Sequence, residues 1–372
     1  MKCLFNYVLI SALFLSCMVS CDSKDDIKPL DLSVDGTANC YIVSKDGEYS
    51  FPAVIGNSSK PVGDVGSVEV LWESLSTNVA PSVGELVRNV SFKDGKIVFK
   101  ASGKKGNAVI AAKDKDGTIL WSWHIWMTDT PKEQVYVNNS GIMMDRNLGA
   151  ISAVPGNSGA YGLLYQWGRK DPFLCAGDDI SIGLNGAQKR ASSSITWPAA
   201  VTSDAVNGTM EFAIANPTTF ILENEINNDW LFTGDWSVEK TRWQEEKTIY
   251  DPCPPGWKVP ECGIDGIWGK ALGTIEDWEN PINWDESNYG VDFSKTDRLL
   301  GNEGPIWYPA AGLIYGDSGD LNGVSEIGGC WSVTNSISRY ASVFGYSLYG
   351  YMMPCIDAQR AYGCSVRCQK IQ

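Results

Sequence analysis

The chain has 372 residues, with 44 Asp and Glu against 30 Lys and Arg and a net charge of -14. A surface of that sign repels nucleic acid, which excludes nucleic-acid binding as a function class. The 44% hydrophobic content is that of a folded chain, long enough for two ordinary domains behind a short leader.

The leader comes first. Lys2 precedes a mostly apolar run from Leu4 to Val19, broken by Asn6, Ser11 and Ser16 and ending Met18-Val19-Ser20-Cys21. That run is short for a membrane span, and a small residue before a cysteine marks the point where a signal peptide is removed and the cysteine acylated. Residues 1–20 are therefore expected to be a lipoprotein signal peptide, with lipidation at Cys21. A plain secretory signal and the rival lipid site Cys17 are the alternatives. The following Asp22-Ser23-Lys24-Asp25-Asp26 resembles the export signal of surface lipoproteins in Bacteroidetes. The resemblance implies an outer-membrane protein, held by its lipid alone and facing the cell exterior. Residues 21–31 form an acidic tether containing Pro29.

From residue 32 to 130 the pattern predicts an all-β sandwich. Seven short strands are expected, at Cys40–Val43, Tyr49–Phe51, Val68–Trp72, Val90–Phe92, Lys96–Lys100, Asn107–Ala111 and Ile119–Trp126. Lys45-Asp46-Gly47, Lys93-Asp94-Gly95 and Lys115-Asp116-Gly117 supply turn signals. Strand alternation puts Trp121, Trp123 and Ile125 on one face and Ser122, His124 and Trp126 on the other. His124, the single histidine of the chain, is thus expected to be a strand residue rather than a catalytic base.

Thr130-Pro131-Lys132 reads as a linker into a second domain, 133–372, which holds eleven of the fifteen Trp and twelve of the fifteen Tyr. Bulky rings with many glycines predict a loop-rich α+β domain in which most rings are core. Asp178 to Thr209 lacks periodicity and is expected to be an insertion loop. Ser203–Ala213 and Lys270–Trp278 are candidate short helices. Eight cysteines remain beyond Cys21: Cys40, Cys175, Cys253, Cys262, Cys330, Cys355, Cys364 and Cys368. An even count in an exported chain points to disulfides, whose connectivity the sequence leaves open. Zinc is disfavoured by the lack of a C-x2-C pair and by the single histidine.

Four strings in order, Met144-Asp-Arg-Asn-Leu-Gly-Ala150, Gly162-Leu-Leu-Tyr-Gln-Trp-Gly168, Asp251-Pro-Cys-Pro-Pro-Gly-Trp-Lys-Val-Pro260 and Gly363-Cys-Ser-Val-Arg-Cys368, resemble the Fibrobacter succinogenes major paralogous domain. Ala38-Asn-Cys-Tyr-Ile-Val43 is more loosely similar to the N-terminal β-domain of fimbrillin-like surface proteins. The first resemblance implies a C-type-lectin-like fold related to the sulfatase-modifying domain, and a Cys253–Cys368 disulfide. No calcium ligands carry over, because the E-P-N and W-N-D strings of calcium-dependent lectins are missing. Cys355 has no cysteine at the spacing the sulfatase-modifying enzymes use, which argues against their activity.

Other catalytic chemistry is thin. A Ser-His-Asp triad would need His124, no nucleotide-binding glycine loop occurs, and no string singles out two carboxylates. No cofactor is expected. The expected function is non-catalytic: adhesion to a glycan, a host or cell-surface protein, or pilus subunits, the last by strand addition to the sandwich. The rival class is an enzyme acting on glycans or related to the sulfatase-modifying oxidases. The binding surface is expected on loops between about residues 265 and 351, with Trp278, Trp284 and Tyr289 as candidate ligand contacts and Trp307 and Trp331 as core.

Overall fold

The computed structural model describes residues 28–177, 198–272, 284–293, 306–336 and 339–372. Within them the protein is built mostly of β-sheet. The first half contains β1 (Leu30–Asp31), β2 (Cys40–Val43), β3 (Asp46–Pro52), β4 (Ser67–Ser74), β5 (Val87–Lys93), β6 (Lys96–Ser102), β7 (Gly106–Lys113) and β8 (Ile119–Met127). They form two four-stranded sheets, β1-β3-β6-β5 and β2-β8-β7-β4. Every strand expected from the alternation lies within one of β2 to β8.

Two local readings need correction. The tether does not run to residue 31. Leu30 and Asp31 pair in parallel with Tyr49 and Ser50, and Asp31 also holds Lys96 at 2.6 Å. Nor do Asp46 and Gly47 turn the chain, since both already belong to β3. The β5–β6 hairpin does turn at Asp94-Gly95. Both have positive φ, 51° and 75°, as the two-residue turn matching strand twist requires.

Between the sheets lies an aromatic core. Phe51, Phe99, Ile97, Ile110, Trp121, Trp123 and Ile125 are all buried there, and Tyr41 stacks on Phe51 at 4.7 Å between ring centres. The other face of the β2-β8-β7-β4 sheet is equally buried. Trp72, Val109, Ala111 and Trp126 join Met144, Leu148, Leu163, Trp167 and Trp331 in one continuous cluster. Polar groups are paired across the same seam. Asn107 donates to the Gly149 carbonyl at 2.8 Å, Trp126 to that of Ala150 at 3.0 Å, and Asn39 to those of Ile249 and Asp251. Such an interface behaves as core, since buried donors left unpaired would cost more than the contact contributes.

The second half is assembled from many short strands. One sheet joins Trp257–Lys258, Gln369–Lys370, Gly141–Met144 and Glu133–Tyr136. The main sheet runs in the order Phe173–Leu174, Leu163–Gln166, Gly363–Ser365, Ile327–Asn335, Tyr340–Ser347 and Met352–Gln359. The described α-helices are two single-turn elements, α1 (Met210–Ala215) and α2 (Ile267–Leu272). Among the described residues this domain is β-rich. The two helices overlap the proposed segments at Met210–Ala213 and Lys270–Leu272, and residues 273–278 of the second segment lie outside the described residues. Part of the expected insertion loop is also regular, because Val201–Thr202 pairs with Ile221–Leu222.

Cys253 and Cys368, both fully buried, form a disulfide. Asp251 holds the turn around it by accepting from the Cys253 and Val259 amides at 2.8 and 2.9 Å. Gly256, with φ of 77°, completes the Pro-Pro-Gly turn. Nearby, the buried Arg242 guanidinium is ion-paired with Asp229 and lies over the Trp167 and Trp230 rings, 4.8 Å from each centroid. Trp167 and Trp230 thus serve as packing partners for buried arginine.

Candidate functional site

The long antiparallel strands Ile327–Asn335, Tyr340–Ser347 and Met352–Gln359 present two different faces. On one, Cys330, Phe344 and Tyr346 are fully buried under α2, where Trp268 stacks on Phe344 at 5.0 Å. On the other, Trp331, Val333, Ala341 and Val343 extend the shared core. Further along that second face the large side chains stop. Gly329 pairs directly with Gly345, and both line a cleft of about 400 Å3.

Adjacent glycines take opposite roles because strand neighbours point to opposite sides. A Cβ on Gly328 would run into the buried Tyr346 ring at 2.1 Å. A Cβ on Gly329 would meet Leu313 at 3.4 Å, Val343 at 3.9 Å and the Cys364 sulfur at 4.0 Å, which is ordinary contact on the cleft floor. Glycine inside a strand weakens it and marks a close approach by something else. At Gly328 the occupant is a tyrosine; at Gly329 the space is open.

Three half-buried tyrosines wall the cleft: Tyr340, Tyr351 and Tyr362. Tyr362 sits in the turn closed by its amide to the Gln359 carbonyl at 3.0 Å, and Tyr315 holds it edge-to-face at 5.4 Å. Leu313, Ile327, Val343 and Ile356 make the floor apolar, while Asp357 and Gln359 place polar groups at the rim. Burial, with Glu223, Tyr315 and Asp317 nearby, pushes the Tyr362 hydroxyl up to about 12. Tyr351 is also raised, again chiefly by burial. Both phenols stay protonated at neutral pH and can donate hydrogen bonds to a ligand. The arrangement combines aromatic faces, hydroxyl donors and a carboxylate, with no nucleophile paired to a base.

Of the sequence candidates, Cys21 and Trp278 lie outside the described residues. Trp284 is corrected from an exposed position to a half-buried one. It packs against the cluster of Trp268, Val291 and Phe293, and its indole nitrogen is enclosed. The charges around it in sequence misled, because Trp284 belongs to a strand pair, opposite Val291, whose far side is core. Tyr289 is half-buried at a turn with φ of 51°, its carbonyl accepting from Ala310. Neither lines the cleft. Trp307 and Trp331 are buried, as expected. Among the described residues of the 265–351 loops, Tyr351 lines the cleft.

The sequence reading passed over Tyr340, Tyr362 and Trp236. Trp236 is 68% exposed, and the guanidinium of Arg339, the neighbour of Tyr340, stacks on it at 4.7 Å. The available signals were the Gly328-Gly329 pair inside a strand and Tyr362 just before the terminal Gly363-Cys364. Among the described residues, no three His, Cys, Asp or Glu side chains converge as a metal-binding group. His124 is buried, its Nε2 2.8 Å from the Asn107 oxygen. Burial lowers it to about 3, so it is a neutral seam residue. Compared with protein-family models, curated proteins and solved structures, the chain matches none.

Proposed function

We propose that this protein is a non-catalytic binding protein displayed at the cell surface, and that its ligand is a glycan held in the tyrosine-walled cleft. The glycine-floored cleft carries this reading. Its flat aromatic faces suit the apolar C–H face of a sugar ring. Its phenols, Gln359 and Asp357 suit the hydroxyls around the ring edge, in the pattern of apolar walls with few placed polar groups common to ligand sites. The lipoprotein leader and Cys21 would present the cleft outside the outer membrane. The resemblance of 133–372 to the Fibrobacter succinogenes major paralogous domain, behind a fimbrillin-like β-domain, supports a lectin-like binding role.

The test is a glycan and host-protein array probed with the soluble chain starting at Asp22, with each hit assayed for turnover. Binding without consumption of the glycan is expected. Tyr362→Ala should then weaken binding about tenfold, which corresponds to about 1.4 kcal/mol. Gly329→Ala should weaken it while leaving the melting temperature close to that of the parent. Glycan cleavage would replace the reading with an enzyme. Binding indifferent to both substitutions would move the site elsewhere.

A further inference from the structure

We propose that Cys262 and Cys355 form a second, reversible disulfide, made by exchange with a disulfide-bearing oxidant such as oxidised glutathione. The inference stands independently of what the cleft binds.

The geometry brings the two residues together from distant parts of the chain. Cys262 precedes α2 and is pinned to the main sheet by Thr334. Its amide donates to the Thr334 hydroxyl at 3.0 Å, and its carbonyl accepts from the same group at 3.3 Å. Cys355 lies on the edge strand Met352–Gln359 and packs against the cluster that contains Cys262. The two thiol side chains interact with each other, with Ser332 beside Cys262 and Ser342 beside Cys355. Those serines are themselves neighbours across the sheet, as Ser332 donates to the Ser342 carbonyl at 2.7 Å.

The pair is also asymmetric in the way exchange requires. Cys355 is half-buried and reachable from solvent, whereas Cys262 is 7% exposed. The contact with Cys262 lowers Cys355, and the same contact with burial raises Cys262. Cys355 is therefore the more readily ionised of the two, and the thiolate is the form that attacks disulfides. Cys355 attacks one sulfur of the oxidant, forming a mixed disulfide and releasing one thiolate. Cys262 then loses its proton to that thiolate, attacks the Cys355 sulfur and expels the second thiolate. Two protein thiols are oxidised, and one oxidant disulfide is reduced to two thiols. Among the described residues the other free cysteines, Cys40, Cys175, Cys330 and Cys364, are fully buried. The new bond would tie the turn before α2 to the strand that supplies Ile356, Asp357 and Gln359 to the cleft.

The experiment uses the full chain incubated with oxidised glutathione, quenched in acid, unfolded, alkylated without reductant and peptide-mapped. The expected result is the loss of two alkylatable thiols per chain, with the Cys262 and Cys355 peptides recovered as one species. In Cys262→Ser, Cys355 should accumulate as a stable glutathione adduct seen by intact mass. In Cys355→Ser, Cys262 should remain free. Separate alkylation of Cys262 and Cys355 after incubation of the parent chain would overturn the proposal, as would a Cys262→Ser variant in which Cys355 takes up no glutathione.

Discussion

His124 shows how burial converts an ionisable side chain into a structural one. Its neutral ring faces Asn107 and, at 3.5 Å, the Tyr165 hydroxyl. The folded state does not accept the proton that the unfolded chain takes up below its ordinary pKa of 6.5, because burial lowers the folded value to about 3. The unfolded state thus binds more protons in that window, and stability falls as the pH drops. Since the chain has one histidine, its contribution can be isolated above the carboxylate range. By about pH 5.5 the loss should reach about 1.4 kcal/mol. Denaturant titrations at stepped pH should show it in the parent chain. His124→Gln should lose the histidine's share of this slope between about pH 7 and about pH 5.5, and an unchanged slope would mean that the histidine is protonated in place.

At the scale of elements, the paired glycines of the main sheet separate a packing role from a binding role. Gly328→Ala drives a Cβ into the Tyr346 ring, whose hydroxyl is itself held by the Pro309 carbonyl at 2.8 Å. The ring cannot retreat without breaking that bond. The substitution should cost about 1–3 kcal/mol, as overpacking usually does. Gly329→Ala, one residue on, should cost far less. Thermal denaturation of the two variants side by side checks the contrast, and equal losses would place both glycines in the core. The sequence carried half of this. Two glycines inside a strand signalled a close approach, but nothing local said which of them faced the cleft. That followed from Gly329 pairing with Gly345 and from Leu313, Ile356 and Tyr362 arriving from other segments. Trp284 failed for the same reason. Its charged sequence neighbours predicted exposure, while its strand partner Val291 turned it toward Trp268 and Phe293.

The whole molecule should unfold as one body. Trp72, Val109, Ala111 and Trp126 belong to a core completed by residues beyond 143, so the sandwich does not end at its own second sheet. Trp126→Ala removes a fully buried ring and its bond to Ala150. It should destabilise by about 3–5 kcal/mol, and circular dichroism and tryptophan fluorescence should report the same single transition. A fragment limited to residues 28–130 should expose that face and bind a hydrophobic dye. Two separate transitions in the intact chain would show independent domains.

By itself the sequence determined the strands of the first half, because alternation and turn residues act over a few positions. It also placed His124 as a strand residue on the second face, and Trp307 and Trp331 in the core. The cleft, the Cys262–Cys355 contact and the seam between the two halves were decided by tertiary structure alone. Each is made by short segments far apart in the chain, whose meeting depends on sheet order and register. Strands of two or three residues in the second half carry too little periodicity to encode that order locally. Long-range pairing supplies it, and with it the position of every residue that lines the cleft.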